Sequence, residues 1–361
     1  MGRRPTLAVA AAATAVALLA GCGAAAQTIV PTGTNNSEQP AAAELRHAVA
    51  ALGDGTTLTT TIKLGTTAQV LGPILTSLGA DLSPTQVAAL AGARISLEVS
   101  APKGKTVNDL VNKPASASVD FTVSSNGTTY LEIRHVSKTI YVRVDLKDLL
   151  TVVGDASEYP KLVAKAATLP TFVQALVADK WVSLPDATLS LLRSFGGGGG
   201  LGANASPSVA PSVNLLRALE MLLTRDVKVT RVSAGSTDRL RLTANSRVLA
   251  RELVRDLRAV FPRIGRRLRG GRLGRVPSEG VRLNASVVHG ALSELSINLG
   301  QYDKSKKINV PLEVLFARSG PTISAPSGAV PVDLSGLLGL ASLFGPQGSG
   351  QTAGLAGLSG V

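Results

Sequence analysis

Apolar and polar positions alternate with period two over much of the chain between Ala41 and Phe316. The clearest stretch is SASVDFTVSSNGTTYLEIRHVSKTIYVRVDL, Ser116 to Leu146. Ala117, Val119, Phe121 and Val123 share one face, and Ser118, Asp120, Thr122 and Ser124 share the other. Ile140, Val142, Val144 and Leu146 continue the apolar face, with Tyr141, Arg143 and Asp145 opposite. Such alternation marks strands with one dry and one wet face, an antiparallel meander. Matching the faces puts Phe121 opposite Leu131. That requires a three-residue loop, Ser125-Asn126-Gly127, because a two-residue loop would pair Phe121 with Glu132.

The same logic applies to GVRLNASVVHGALSELSINLG, Gly280 to Gly300. Leu283 opposes Leu295 and Val281 opposes Ile297 if the loop is Val288-His289-Gly290. Further strands are expected at Thr57 to Leu64, around Ile95 to Val99, after Lys180, at Asp226 to Val232, Asp238 to Ala244 and Lys307 to Phe316. Pro311 in the last of these lacks a backbone donor, which favours an edge or a bulge.

Period-3.6 patterns lie between the strand groups. Ala41 to Leu52 places Leu45, Val49 and Leu52 on one side. Gln69 to Leu78, Ser83 to Leu90, Lys147 to Val153, Pro160 to Ala167, Thr171 to Asp179, Ser212 to Leu223 and Ser246 to Phe261 also read as helices. Ser83 is the expected cap, with Pro84 in the first turn. Grouped strands with inserted helices read as α+β. The expected architecture is a strongly curved antiparallel sheet of about eleven strands, an open half-barrel, with helices packed on its concave apolar face.

The termini differ from this middle. Arg3 and Arg4 precede an apolar run, Leu7 to Ala20, of about 14 residues, short of the roughly 20 a membrane span needs. Together with small residues before a cut site, this describes a secretory signal over residues 1–21. Leu19-Ala20-Gly21-Cys22 resembles a lipobox, and Cys22 is the only cysteine. Its thiol would take a diacylglyceryl group, anchoring the chain to the extracytoplasmic face of a bacterial cell membrane. The alternative is a secretory signal with an incidental cysteine. Residues 22–40 then form a flexible tether, 41–319 the folded domain with a flexible insertion at 196–211, and 320–361 a low-complexity tail.

The chain has 361 residues, 45% hydrophobic but only 3% aromatic, so Ala, Val, Leu and Ile must build the core. The net charge of +13 suggests anionic lipid headgroups or acidic envelope polymers as partners. The segment Arg251 to Arg275 is arginine-rich, with Glu252 and Asp256 as its acids. It reads either as a solvated helix face running into a loop or as a headgroup contact through Arg263, Arg266, Arg267 and Arg269. Nucleic acid is not expected as a partner, because neither an aromatic platform nor a reading helix is visible.

Candidate chemistry is sparse. His47, His135 and His289 are isolated, without metal-ligand spacing. His135 falls on the apolar face and reads as a hydrogen-bonded core histidine. No G-x-S-x-G or H-E-x-x-H pattern occurs. GGGGGLG follows a helical pattern and leads into Ala, Ser and Pro, which is not the setting of a nucleotide loop. No catalytic residue, cofactor or metal is expected, and the chain does not read as an enzyme. Trp181, the only tryptophan, reads as core packing or as ligand stacking.

A lipobox, a tether, an opening helix, a meander ending TIYVRVDL, then KWVSLP, and late in the chain VRLNASVVHGALSELSINL occur in this order. The arrangement resembles the actinobacterial envelope lipoproteins of the LppX/LprG type, and more distantly the LolA-type carriers. The resemblance implies a half-barrel holding acyl chains between sheet and helices. Val119, Phe121, Ile140, Val142, Val144, Leu283, Leu295 and Ile297 would line that groove. The implied function is binding or transfer of lipid. The alternative is a non-enzymatic envelope scaffold whose same rows form a filled core.

Overall fold

The structure is a computed structural model that describes residues 40–77, 79–111, 116–186, 188, 227–245, 280–302 and 309–333. Twelve strands form one open sheet: β1 (Thr57–Leu64), β2 (Ala93–Ser100), β3 (Ser118–Ser125), β4 (Thr128–Val136), β5 (Thr139–Val144), β6 (Val182–Pro185), β7 (Lys228–Ser233), β8 (Thr237–Asn245), β9 (Gly280–Val288), β10 (Ala291–Asn298), β11 (Pro311–Ala317) and β12 (Val330–Pro331). Their order is β12-β6-β5-β4-β3-β2-β1-β11-β10-β9-β8-β7. All neighbours are antiparallel except β12 and β6. The α+β expectation is met, with twelve strands among the described residues where about eleven were expected.

Among the described residues the α-helices are α1 (Pro40–Ala50), α2 (Ala68–Ser77), α3 (Pro84–Ala91), α4 (Leu146–Val153), α5 (Glu158–Ala166) and α6 (Thr171–Val177). Helix α1 buries Ala41, Leu45, Ala48 and Val49, one stripe at helical spacing. That stripe joins Leu58, Val99, Leu240, Leu242, Ala285 and Leu295 of the sheet in the largest core cluster. Ser83 caps α3 as expected, in a reciprocal capping box with Gln86. Asp145 caps α4, and Gly154 ends it with φ +97°.

Both expected hairpin loops need correction. The β3–β4 turn has two residues, Asn126 (φ +51°) and Gly127 (φ +87°), so Ser125 pairs with Thr128. Tyr130 is then skipped as a bulge, and Phe121 pairs with Ile133, not Leu131. In β9–β10 the turn is His289 (φ +50°) and Gly290 (φ +70°), with Ser293 as the bulge. Leu295 faces Ala285 and Ile297 faces Leu283. Positive φ at both turn residues matches the twist of the flanking strands. One bulged residue restores the parity that a two-residue turn would break.

Pro311 is on neither an edge nor a bulge. It opens β11, between β1 and β10, where its carbonyl accepts from the Gly65 amide at 2.7 Å. The first residue of a strand is the remaining position that tolerates proline. The chain after Gly320, expected to drift, forms a strap from β11 to β12. It passes Glu98 of β2, buries Ile323 and meets Arg134 of β4 through the Ser324 carbonyl at 3.4 Å. It ends where the Val330 amide donates to the Trp181 carbonyl at 2.9 Å.

Candidate functional site

Residues directly opposite in neighbouring strands share a face, so the pairings trace rows across the sheet. One row is Leu184, Ile140, His135, Val119, Val99 and Leu58. The next runs Val182, Val142, Ile133, Phe121, Leu97, Thr60 and Phe316. A third joins Val144, Leu131, Val123, Ile95, Ile62, Val314, Leu295, Ala285 and Leu240. A fourth runs Leu64, Leu312, Ile297, Leu283, Leu242 and Val229. All eight groove candidates therefore lie on one face. Leu131, Ile133, Val123, Ile95, Leu97 and Val314 occupy the same rows and were not among the candidates, although their alternation was a usable signal.

The helices stand on this face. Helix α1 packs on its β7–β10 side, α2 and α3 cluster with Leu64, and α6 with Val182. Helix α4 touches β4, and α6 touches β5 and β6. The Ser125 hydroxyl donates to the Ala89 carbonyl of α3 at 2.7 Å, pinning the β3–β4 hairpin beneath that helix.

Packing along the rows is uneven. At the α1 side Leu242 is 0% exposed, and Leu240 and Ala285 are 1% exposed. In β3–β5, Val119, Phe121, Ile133, Val142 and Val144 are only half-buried, although those strands are interior to the sheet. Ile140 and Leu295 are buried, and Leu283 and Ile297 half-buried. Helices α4 and α5 bury none of their own residues. Apolar surface therefore remains open on both the strand and the helix side, in the β3–β5 half of the molecule.

His135 is the only ionisable side chain on this face among the β1–β6 positions of those rows. Its Nδ1 is buried without a hydrogen-bond partner, and its Nε2 lies 4.0 Å from the Asp186 carboxylate. The expected hydrogen-bonded core histidine is therefore not what the structure shows: Nδ1 has no partner, and 4.0 Å to Asp186 is longer than a hydrogen bond.

The opposite face carries an ionic network. Arg134 donates from Nε to Asp120 at 2.9 Å and from Nη2 to Glu132 at 2.5 Å, and Arg143 Nη2 reaches the other Glu132 oxygen at 3.0 Å. Burial, then the Glu132 charge, pushes the Asp120 carboxyl above its ordinary value against the pull of Arg134. Glu98, opposite Asp120, is likewise raised, first by burial and then by Asp120. Trp181 is neither core filler nor an open stacking platform. Its ring lies 4.9 Å from the Arg134 guanidinium and 5.4 Å from that of Arg143.

Cys22, the tether, the 196–211 insertion, the helices expected at Ser212 to Leu223 and Ser246 to Phe261, and Arg263, Arg266, Arg267 and Arg269 lie outside the described residues. So does the tail beyond Asp333. Among the described residues no helix is long and apolar enough to cross a membrane, and no cluster of three or more His, Cys, Asp or Glu could hold a metal ion.

No family model matches the chain, and no curated protein matches it. Among solved structures it is similar to the lipoprotein LppX of Mycobacterium tuberculosis, at 10% identity over 79% of this chain and 97% of that one, with a TM-score of 0.32. It is also similar to LprF of Mycobacterium bovis, at 10% identity over 82% of this chain and 100% of that one, with a TM-score of 0.34.

Proposed function

We propose that this protein is a non-enzymatic carrier or binder of acyl lipid, tethered through a lipidated Cys22 to the outer face of the cell membrane. The observation that carries the reading is the half-buried apolar surface of β3–β5, where Phe121, Ile133, Val142 and Val144 sit inside the sheet, beside α4, which touches β4, and its neighbour α5, neither of which buries any of its residues. An acyl chain laid across these rows leaves the bilayer without entering water. Each Å² of apolar surface kept dry contributes about 25 cal/mol. The β7–β10 half, closed by α1, serves as the rigid wall. Arg263, Arg266, Arg267 and Arg269 are proposed to contact anionic headgroups, each well-placed cation contributing about 1 kcal/mol.

The test is to purify the chain without detergent, extract it with organic solvent and weigh what is released. Lipid at near one-to-one stoichiometry is the expected result. A lipid-free protein that unfolds cooperatively and takes up no fluorescent fatty acid would instead indicate a scaffold with a filled core. Cys22→Ala should release the protein from the membrane fraction, and an unchanged fraction would refute the anchor.

A further inference from the structure

We infer that His135 recognises a hydroxyl group, so that the groove prefers acyl lipids carrying a free hydroxyl over their capped or fully esterified counterparts. The inference rests on the acyl-binding reading. Its basis is one buried polar atom. His135 lies in the outermost of the four apolar rows, between Val119 and Ile140, where the β4–β5 turn ends the sheet. A chain lying along the strands, across the four rows, therefore reaches this imidazole with one of its ends.

Chemistry decides what that end carries. The Asp186 carboxylate stands 4.0 Å from Nε2, beyond hydrogen-bond length, and in the neutral ring its negative charge favours the tautomer with the proton on that side. Nδ1 is then an acceptor, and it is buried without a partner. A buried acceptor without a donor is costly, and a ligand O–H removes the cost where an ether or ester oxygen cannot. The remaining neighbours in the row, Leu184, Val99 and Leu58, offer no competing donor. Sites built to hydrogen-bond a ligand hydroxyl discriminate strongly against analogues that lack it.

Oleyl alcohol and its methyl ether differ only in the donor. Each is titrated against the full chain loaded with a dansylated fatty acid, and displacement is read by fluorescence. The alcohol should compete about tenfold better, and His135→Phe should erase that preference while the probe still binds. Equal competition by the two ligands, or a preference retained in His135→Phe, overturns the inference and leaves acyl binding intact. Failure of the probe itself to bind overturns the parent reading and this one with it. If His135→Phe does not fold, the wild-type chain decides. Oleyl alcohol should shift the Nδ1 resonance of His135 in long-range proton–nitrogen spectra, and the ether should not. An unmoved resonance under saturating alcohol overturns the assignment.

Discussion

Arg134 and Asp120 face each other across β4 and β3, joined by an Nε–carboxylate hydrogen bond of 2.9 Å. The same guanidinium holds Glu132, stacks on Trp181 and reaches the Ser324 carbonyl of the strap. One side chain thus links two strands, the only tryptophan and the path to β12. Replacing it with methionine keeps most of the apolar stem but leaves Asp120 and the 8%-exposed Glu132 without their common cation. Arg134→Met should cost about 3 kcal/mol in urea unfolding. Arg134→Lys should recover only part, because an ammonium lacks the planar fork. A loss below about 0.5 kcal/mol would show the network to be as weak as an ordinary surface pair.

Glu98 and Asp120 carry the pH dependence of this face. Both carboxyls titrate above their unfolded values, so the native state binds more protons than the unfolded chain. Their stabilising contribution is present below the unfolded carboxylate pKa and is lost as pH rises through the raised native values. Glu98→Gln removes one titration and one buried charge. The variant should gain on the wild type progressively from about pH 4 to pH 7. A stability difference that stays flat across that range contradicts the assignment.

The β4–β5 turn is strained where the β3–β4 and β9–β10 turns, each with a glycine, are less so. Ser137 (φ +49°) and Lys138 (φ +65°) hold left-handed conformations without glycine or asparagine at either position. Lys138→Gly should stabilise the protein by about 0.5–1 kcal/mol after the extra unfolded-state entropy of glycine is counted. Gly127→Ala, at φ +87°, should destabilise by about 1 kcal/mol. Chemical denaturation of the two variants checks both signs.

The uneven packing predicts uneven sensitivity to truncation. Leu242→Ala, at a fully buried site beneath α1, should cost about 3 kcal/mol. Val142→Ala, in a half-buried row, should cost less than about 1 kcal/mol, while Val142→Asp should abolish acyl-probe binding in a chain that still unfolds cooperatively. Equal costs for the two alanine variants would mean that the β3–β5 rows are closed core.

Much of this arrangement was readable from alternation alone. Val119, Phe121, Val142, Leu283 and Leu295 share a face because period two determines side, and side survives errors of register. The register itself was not readable. A three-residue loop and a two-residue turn followed by a bulge preserve the same parity, and nothing local marks Tyr130 or Ser293 as the skipped residue. The strap and β12 left no signal, since Arg318 to Ala329 has no periodicity and β12 is two residues long. The pairing of Arg134 with Asp120 was equally hidden, because a wet strand face shows charges but not their partners across the sheet. Neither could alternation show that Phe121 is half-buried and Leu242 fully so, since a groove wall and a packed core have the same pattern.

The middle of the sheet is a seam between strands far apart in the chain. β1 begins at Thr57, and its partner on one side, β11, ends at Ala317. Every hairpin on either flank can close locally and early, whereas this junction waits for almost the whole polypeptide to be made. Until then β1 exposes an unsatisfied backbone edge beside an apolar row, open to the wrong strand or to another molecule. A slow late zippering step, and dependence on whatever shields that edge beforehand, follow from strand order alone.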